Sequence, residues 1–279
     1  MSGIKRVFAS LSEKKEGAYI PYLCTGDPNP TFSLNMMETL CESGADIIEL
    51  GMPFSDPMAD GPLLQEAMNR SLKGSFRAEL LFEMIENLRG AGLDQPVVVM
   101  GYYNIVHNMG EEEFCRRLSE AGGDGAIVVD LPIEENSNLD ERCIENGIDL
   151  VNLISPNTSL NRRQMILERS RGYAYLVSVA GVTGPRDVLS ERTLKMVEEI
   201  TSTSPLPIAL GFGISNPDQA RAAFEHGASG IVEGSSIAAI YSSHLKDMES
   251  ALRALGNHAR SMKRALSNGK RKDSPDPFE

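Results

Sequence analysis

Three carboxylates stand where a buried strand runs out into a loop, in the stretch IIELGMPFSDPMADGP (47–62). Ile47 and Ile48 read as core, yet Glu49 follows at once, and Asp56 and Asp60 ride the Gly-, Pro- and Ser-bearing loop beyond. A carboxylate held in a partly apolar mouth has its pKa raised and exchanges protons near neutral pH. The loop carboxylates should be more solvated and more mobile. Two carboxylates in unlike surroundings form a recurring acid/base arrangement. Glu49, then Asp60, then Asp56 are the candidate catalytic residues on this ground. Position alone also allows a Glu paired with a cation, and aspartates that only shape a turn.

A second group of residues could hold an anion. GVTG (181–184), GFGIS (211–215) and EGSS (233–236) each join glycine to a small hydroxyl residue just before a helix. Glycine lets backbone N–H groups approach an anion, and a helix start adds positive potential. None of these loops carries a lysine, and none is needed. Tyr22, Met100, Tyr102 and Tyr175 lie at or near strand ends, where they could line the remaining space or simply pack.

These groups need a frame to bring them together. Short apolar, β-branched runs recur at 18–23, 45–50, 96–101, 125–130, 148–154, 172–179, 207–212 and 229–234. Most are near-continuous rather than alternating, as in a parallel sheet covered on both faces. Helical patterns fall between them, at 31–43, 111–121, 216–227 and 237–255, and a further helix at 3–13 precedes the first strand. Asn216–Pro217 reads as a cap plus first-turn proline, and glycines 44, 122 and 227 as stops. Eight strand–helix units with no linker predict an α/β fold, a (β/α)8 TIM barrel with an extra N-terminal helix. The rival open sheet would show a glycine fingerprint after its first strand, which is absent here. Residues 1–266 are read as one barrel domain and 267–279, polar and proline-bearing, as a disordered tail. In such a barrel the active site sits at the C-terminal ends of the strands, and the loops after strands seven and eight often take phosphate. Glu49 and the glycine loops then share one rim.

A net charge of −12 over 279 residues argues against nucleic acid or an anionic membrane as partner, without forbidding an anionic small molecule. Cys24, Cys41, Cys115 and Cys143 are scattered and read as buried thiols in a reducing compartment. The histidines at 107, 226, 244 and 258 show no ligand spacing, so no metal is expected. No leader-like segment opens the sequence and no apolar run approaches about 18 residues, which places the protein in the cytoplasm.

Taken together, ELGMPFSDPMADGP, YLCTGDP (22–28), MGYYN (100–104), DLP (130–132), GVTG, GFGIS and EGSS resemble, in order and position, the α subunit of tryptophan synthase over about residues 15–255. The resemblance implies a retro-aldol cleavage of indole-3-glycerol phosphate to indole and glyceraldehyde 3-phosphate, with no metal or cofactor in this chain. It implies Glu49 as general acid/base and Asp60 as the partner of the indole N–H. It places Tyr22, Met100, Tyr102, Leu153 and Tyr175 around the indole and glycerol parts and makes Phe212 a further substrate-binding residue. Gly184, Gly213, Gly234 and Ser235 fall on the phosphate, and Thr183 on a closing loop. Asp56 becomes a loop and partner-contact residue. A β subunit carrying pyridoxal phosphate is implied as partner, in an α2β2 heterotetramer, docked on the catalytic rim including loop 53–61. The sequence departs from the family pattern at Val179 and Ala180, where an Arg often precedes the glycine of GVTG, and at Tyr22 and Cys24, where Phe and Thr are common.

Other readings compete. A sugar isomerase or indoleglycerol-phosphate synthase on the same barrel would want a strand-end lysine or paired aspartates on strands one and five, and none of the eight strands carries a lysine. A free-standing indole-3-glycerol-phosphate lyase would need no β subunit. A non-catalytic phosphate-binding barrel subunit would have no use for Glu49 and Asp60.

Overall fold

The computed structural model describes residues 2–74, 76–178 and 188–267. Its strands are β1 (Ala18–Cys24), β2 (Ile48–Gly51), β3 (Val97–Gly101), β4 (Gly125–Val128), β5 (Asp149–Leu150), β6 (Leu153–Ile154), β7 (Ala174–Val177), β8 (Ile208–Gly211) and β9 (Gly230–Glu233). All pair in parallel, in the order β5-β4-β3-β2-β1-β9-β8-β7-β6. The run at 148–154, expected as one strand, divides into β5 and β6. β5 pairs with β4 and β6 with β7. Between them the Val151 N–H bonds the Ala126 carbonyl (2.9 Å) and the Tyr175 N–H bonds the Asn152 carbonyl (3.0 Å). One extended run thus turns from one neighbour to the other and closes the ring. The barrel is the expected one, with its fifth strand shared between two ladders.

The helices are α1 (Gly3–Glu13), α2 (Pro30–Glu42), α3 (Pro62–Lys73), α4 (Ala78–Gly90), α5 (Tyr103–Met109), α6 (Glu111–Glu120), α7 (Ser137–Glu145), α8 (Leu160–Arg169), α9 (Glu191–Thr201), α10 (Pro217–Glu225), α11 (Ser235–Ser242) and α12 (Met248–Ser267). Local chemistry sets their starts. Asn29 and Asn216 accept the N–H groups of Phe32 and Gln219, each just before a proline. The helix expected at 237–255 is two helices. Asp247 interrupts it by capping α12, accepting the Ser250 N–H at 3.0 Å. α12 then runs to Ser267, one residue into the stretch read as tail, and 268–279 lie outside the described residues.

The N-terminal end of the barrel is plugged by α1. Its Ile4, Phe8 and Leu11 are buried, and Phe8 meets the Tyr173 ring at 5.7 Å between centroids. Gly125, Gly172 and Gly230 make room for it: a Cβ on them would come within 2.9 and 3.0 Å of Ile4 and 3.4 Å of Phe8, respectively.

Side chains also tie strands to their loops. The N–H groups of Tyr19, Val97 and Tyr103 donate to the carboxylates of Asp46 (2.8 Å), Asp124 (3.0 Å) and Asp130 (2.7 Å). Asp124 also pairs with Arg89 at 3.0 Å. Asp124→Ala leaves the Val97 N–H and part of the Arg89 guanidinium without a partner at the barrel base. We expect it to lower unfolding free energy by about 1–3 kcal/mol in urea titration while leaving the mouth intact.

Candidate active site

β2 enters the barrel mouth with Glu49 beside Tyr22 of β1 and Val98 of β3 in register. Glu49 is 1% exposed, and its Oε2 has no hydrogen-bond partner among the described residues. A buried carboxylate without compensation favours its neutral form. Burial, and then the charge of Asp60, push Glu49 up to about 8. A carboxyl pushed up this far can exchange a proton near neutral pH.

Asp60 departs from expectation. It is not solvated but 9% exposed, and burial raises its pKa as well. What counters burial is Tyr102, whose hydroxyl donates to Asp60 Oδ2 at 2.6 Å and so favours the carboxylate. The same hydroxyl accepts the Ala59 N–H (3.0 Å), and Phe54 stacks on the Tyr102 ring at 4.9 Å. Gln65 of α3 holds the Asp60 carbonyl (2.8 Å). Loop 53–61 is thereby fastened over the mouth by one strand-end tyrosine. Asp56 points away: it is exposed and takes the Ser55 hydroxyl.

Two tyrosines form the walls. A Cβ on Gly51 would stand 2.0 Å from the Tyr22 hydroxyl, and one on Gly211 would stand 2.1 Å from the Tyr175 hydroxyl. Each ring therefore lies across the glycine of the next strand. Met100 of β3 is in register with Gly51, and Leu153 of β6 with Tyr175. Tyr22, Met100, Tyr102, Leu153 and Tyr175 thus gather around one mouth with Glu49 and Asp60.

The glycine loops at 211–215 and 233–236 meet at the same rim. After β8, Phe212 (φ 63°) and Gly213 (φ 77°) are successively left-handed. That is uncommon for Phe, and it is held by a hydrogen bond from Ser178 to the Phe212 carbonyl and by an edge contact with Tyr175. After β9, Gly234 opens α11 with no side-chain cap, leaving first-turn N–H groups for another acceptor. Ser235 is exposed there. The Ser236 hydroxyl reaches the Ile214 carbonyl (3.4 Å), so the two loops are neighbours. Thr183 and Gly184, with Val179 and Ala180, lie outside the described residues.

A family model for the tryptophan synthase alpha chain matches residues 8–267. The chain belongs to the tryptophan synthase alpha chain family. The alpha chain of Methanosarcina barkeri is 43% identical over 263 residues, covering 94% of this chain and 98% of that one. That of a Synechococcus strain is 41% identical, covering 85% and 87%. Among solved structures, the alpha chain of Legionella pneumophila superposes with a TM-score of 0.87 at 32% identity, covering 96% and 98%. A chain of Mycobacterium tuberculosis tryptophan synthase does so with 0.87 at 32%, covering 96% and 99%. The family reaction is cleavage of indole-3-glycerol phosphate, so the chain is a lyase of tryptophan biosynthesis. Tryptophan synthase alpha chains need no cofactor of their own and pair with a beta subunit.

Within this alpha chain, sequence reading missed Tyr173, Phe54 and Gln65. Tyr173 is fully buried, its hydroxyl has no partner among the described residues, and burial followed by the Glu49 charge holds its pKa well above the usual tyrosine value. Its signal was strand parity: two residues before Tyr175, it shares that inward face. A groove of about 850 Å3 at the opposite, N-terminal face is lined by Arg6, Lys14, Arg89 and Asp94 among others, and includes neither Glu49 nor Asp60. Among the described residues no group of three or more His, Cys, Asp or Glu could hold a metal ion, and no helix is long and apolar enough to cross a membrane.

Proposed function

We propose that Glu49 and Asp60 divide the work of the cleavage between them. The observation that carries this is a buried carboxyl at the mouth with an orphan oxygen, kept protonated near neutral pH by burial and by a second carboxylate. Glu49 begins as an acid and delivers its proton to C3 of the indole ring. Asp60, kept anionic by the Tyr102 hydroxyl, accepts the indole N–H and stabilises the positive charge that spreads to the nitrogen as the ring becomes an indolenine. The bond from C3 to the glycerol chain breaks, and its electrons return to the ring. The Glu49 carboxylate takes the proton of the adjacent hydroxyl as that carbon becomes the aldehyde, and the acid is restored. Tyr22, Met100, Leu153, Tyr175 and Phe212 surround the ring and the glycerol chain. Backbone N–H groups at Gly213, Gly234 and Ser235, joined by Gly184, hold the phosphate, and Thr183 closes over it.

The β partner carries pyridoxal phosphate and consumes the indole, in a cytoplasmic α2β2 heterotetramer. Met58, 93% exposed at the tip of loop 53–61, supports that rim as the docking face. Indole release from indole-3-glycerol phosphate, measured for the chain alone and with a tryptophan synthase β subunit, tests the reading. Slow release, raised sharply by the partner, is expected. Fast release alone would make the chain a free-standing lyase. Substrate binding without release under either condition would make it a non-catalytic subunit.

A further inference from the structure

A buried polar cluster lies behind the mouth, on the side of β9 that faces α12, and none of the residues above uses it. Glu233, the last residue of β9, is 1% exposed. Both its oxygens are engaged. Tyr19 of β1 donates its hydroxyl to Oε2 at 2.8 Å. His258 of α12 places Nε2 at 2.7 Å from Oε1, and the Ser236 hydroxyl donates to that same oxygen. Three groups from three elements thus converge on one carboxylate. Ser236 sits in the first turn of α11, immediately after Ser235, and also reaches the Ile214 carbonyl in the loop after β8.

We propose that Glu233 is a positioning residue for phosphate binding, anchoring the first turn of α11 and the loop after β8 to β1 and α12 through Ser236, Tyr19 and His258. The inference rests on assigning the phosphate to Gly213, Gly234 and Ser235. Three facts favour it over plain packing. The carboxylate directly precedes Gly234, the residue that opens α11. Its Ser236 contact is the one that ties the two glycine loops to a single anchor. Burial, and then the Glu233 charge, hold the Tyr19 hydroxyl well above the usual tyrosine range, so it remains a donor. Gly234 has no capping side chain of its own, so the position of α11's first turn depends on this anchor.

Charge gives the test a direction. Glu233 places a carboxylate near the phosphate, so relief of Coulomb repulsion alone would make Glu233→Gln bind anions more tightly. Positioning predicts the reverse, because one amide cannot accept from three donors. The probes are glycerol 3-phosphate and indole-3-propanol, the phosphate-bearing and indole-bearing halves of the substrate, titrated by calorimetry. Glu233→Gln is expected to raise the Kd for glycerol 3-phosphate about fivefold to tenfold, the weight of one hydrogen bond. The Kd for indole-3-propanol should not move. Ser236→Ala, which changes no charge, should act in the same sense on glycerol 3-phosphate alone and serves if Glu233→Gln fails to fold. Unchanged or tighter binding of glycerol 3-phosphate would overturn the proposal. So would equal losses for both probes, which mark a merely structural residue. Wild-type chain that binds indole-3-propanol but not glycerol 3-phosphate would instead overturn the phosphate assignment beneath it.

Discussion

Glu49→Gln is expected to lose about 10²–10⁴-fold in indole release and, at the same time, to melt at a higher temperature than the wild type. The first effect follows from removing the acid placed to protonate the ring. Donation needs the protonated form, so wild-type kcat/KM should fall as pH rises through about 8, and that alkaline limb should vanish in the variant. The second effect follows from linkage. Glu49 titrates near 4.5 when unfolded and near 8 when folded. Between those values the folded chain holds a proton that the unfolded chain has released, so stability drains away as pH rises across that window. A neutral amide removes the drain. At pH 7 to 8 the gain should be at most about 3–4 kcal/mol, read as several degrees in a thermal scan, and it should shrink towards zero below pH 4.5. An active variant, or an inactive one that melts lower at pH 8, would contradict the assignment.

Asp60→Asn should lose about 10²–10³-fold, because an amide of nearly the same shape carries no charge to stabilise the indolenine. It should also shift the pH profile of whatever activity remains. The Asp60 charge contributes to the raised pKa of Glu49, so removing it lets Glu49 ionise at lower pH, and the alkaline limb moves down. Loss of rate with an unmoved limb would separate the two groups and leave Asp60 a binding residue only.

Much of this is legible in the sequence. The near-continuous apolar runs give the parallel barrel, because a strand covered on both faces has no polar side to show. Asn216–Pro217 gives the start of α10 by local capping alone. Glu49 stands out because an acid in a core strand must be compensated or used. What stayed hidden depends on long-range contacts. The solvation of Asp60 is decided by Tyr102, 42 residues away, and no local pattern carries that pairing. Tyr173 gains its meaning only from the closed barrel, which buries it fully. The break before α12 depends on the Asp247 side chain turning back on Ser250, which the apolar spacing of 237–255 conceals. The division of 148–154 comes from closing the ring, a property of the whole barrel.

The plug formed by α1 has an isotopic consequence. Ile4 and Phe8 seal the floor beneath Glu49, and Tyr173 fills the space above Phe8 with a hydroxyl that meets no partner among the described residues. The Glu49 proton therefore comes and goes through the mouth alone. Once substrate fills the mouth, the acid is cut off from bulk solvent, and the hydrogen it surrenders to carbon is replaced by the one it takes from oxygen. In deuterium oxide the substrate hydroxyl and the Glu49 carboxyl have both exchanged with solvent before the mouth is filled, so the indole released from each closed turnover carries one deuterium at C3.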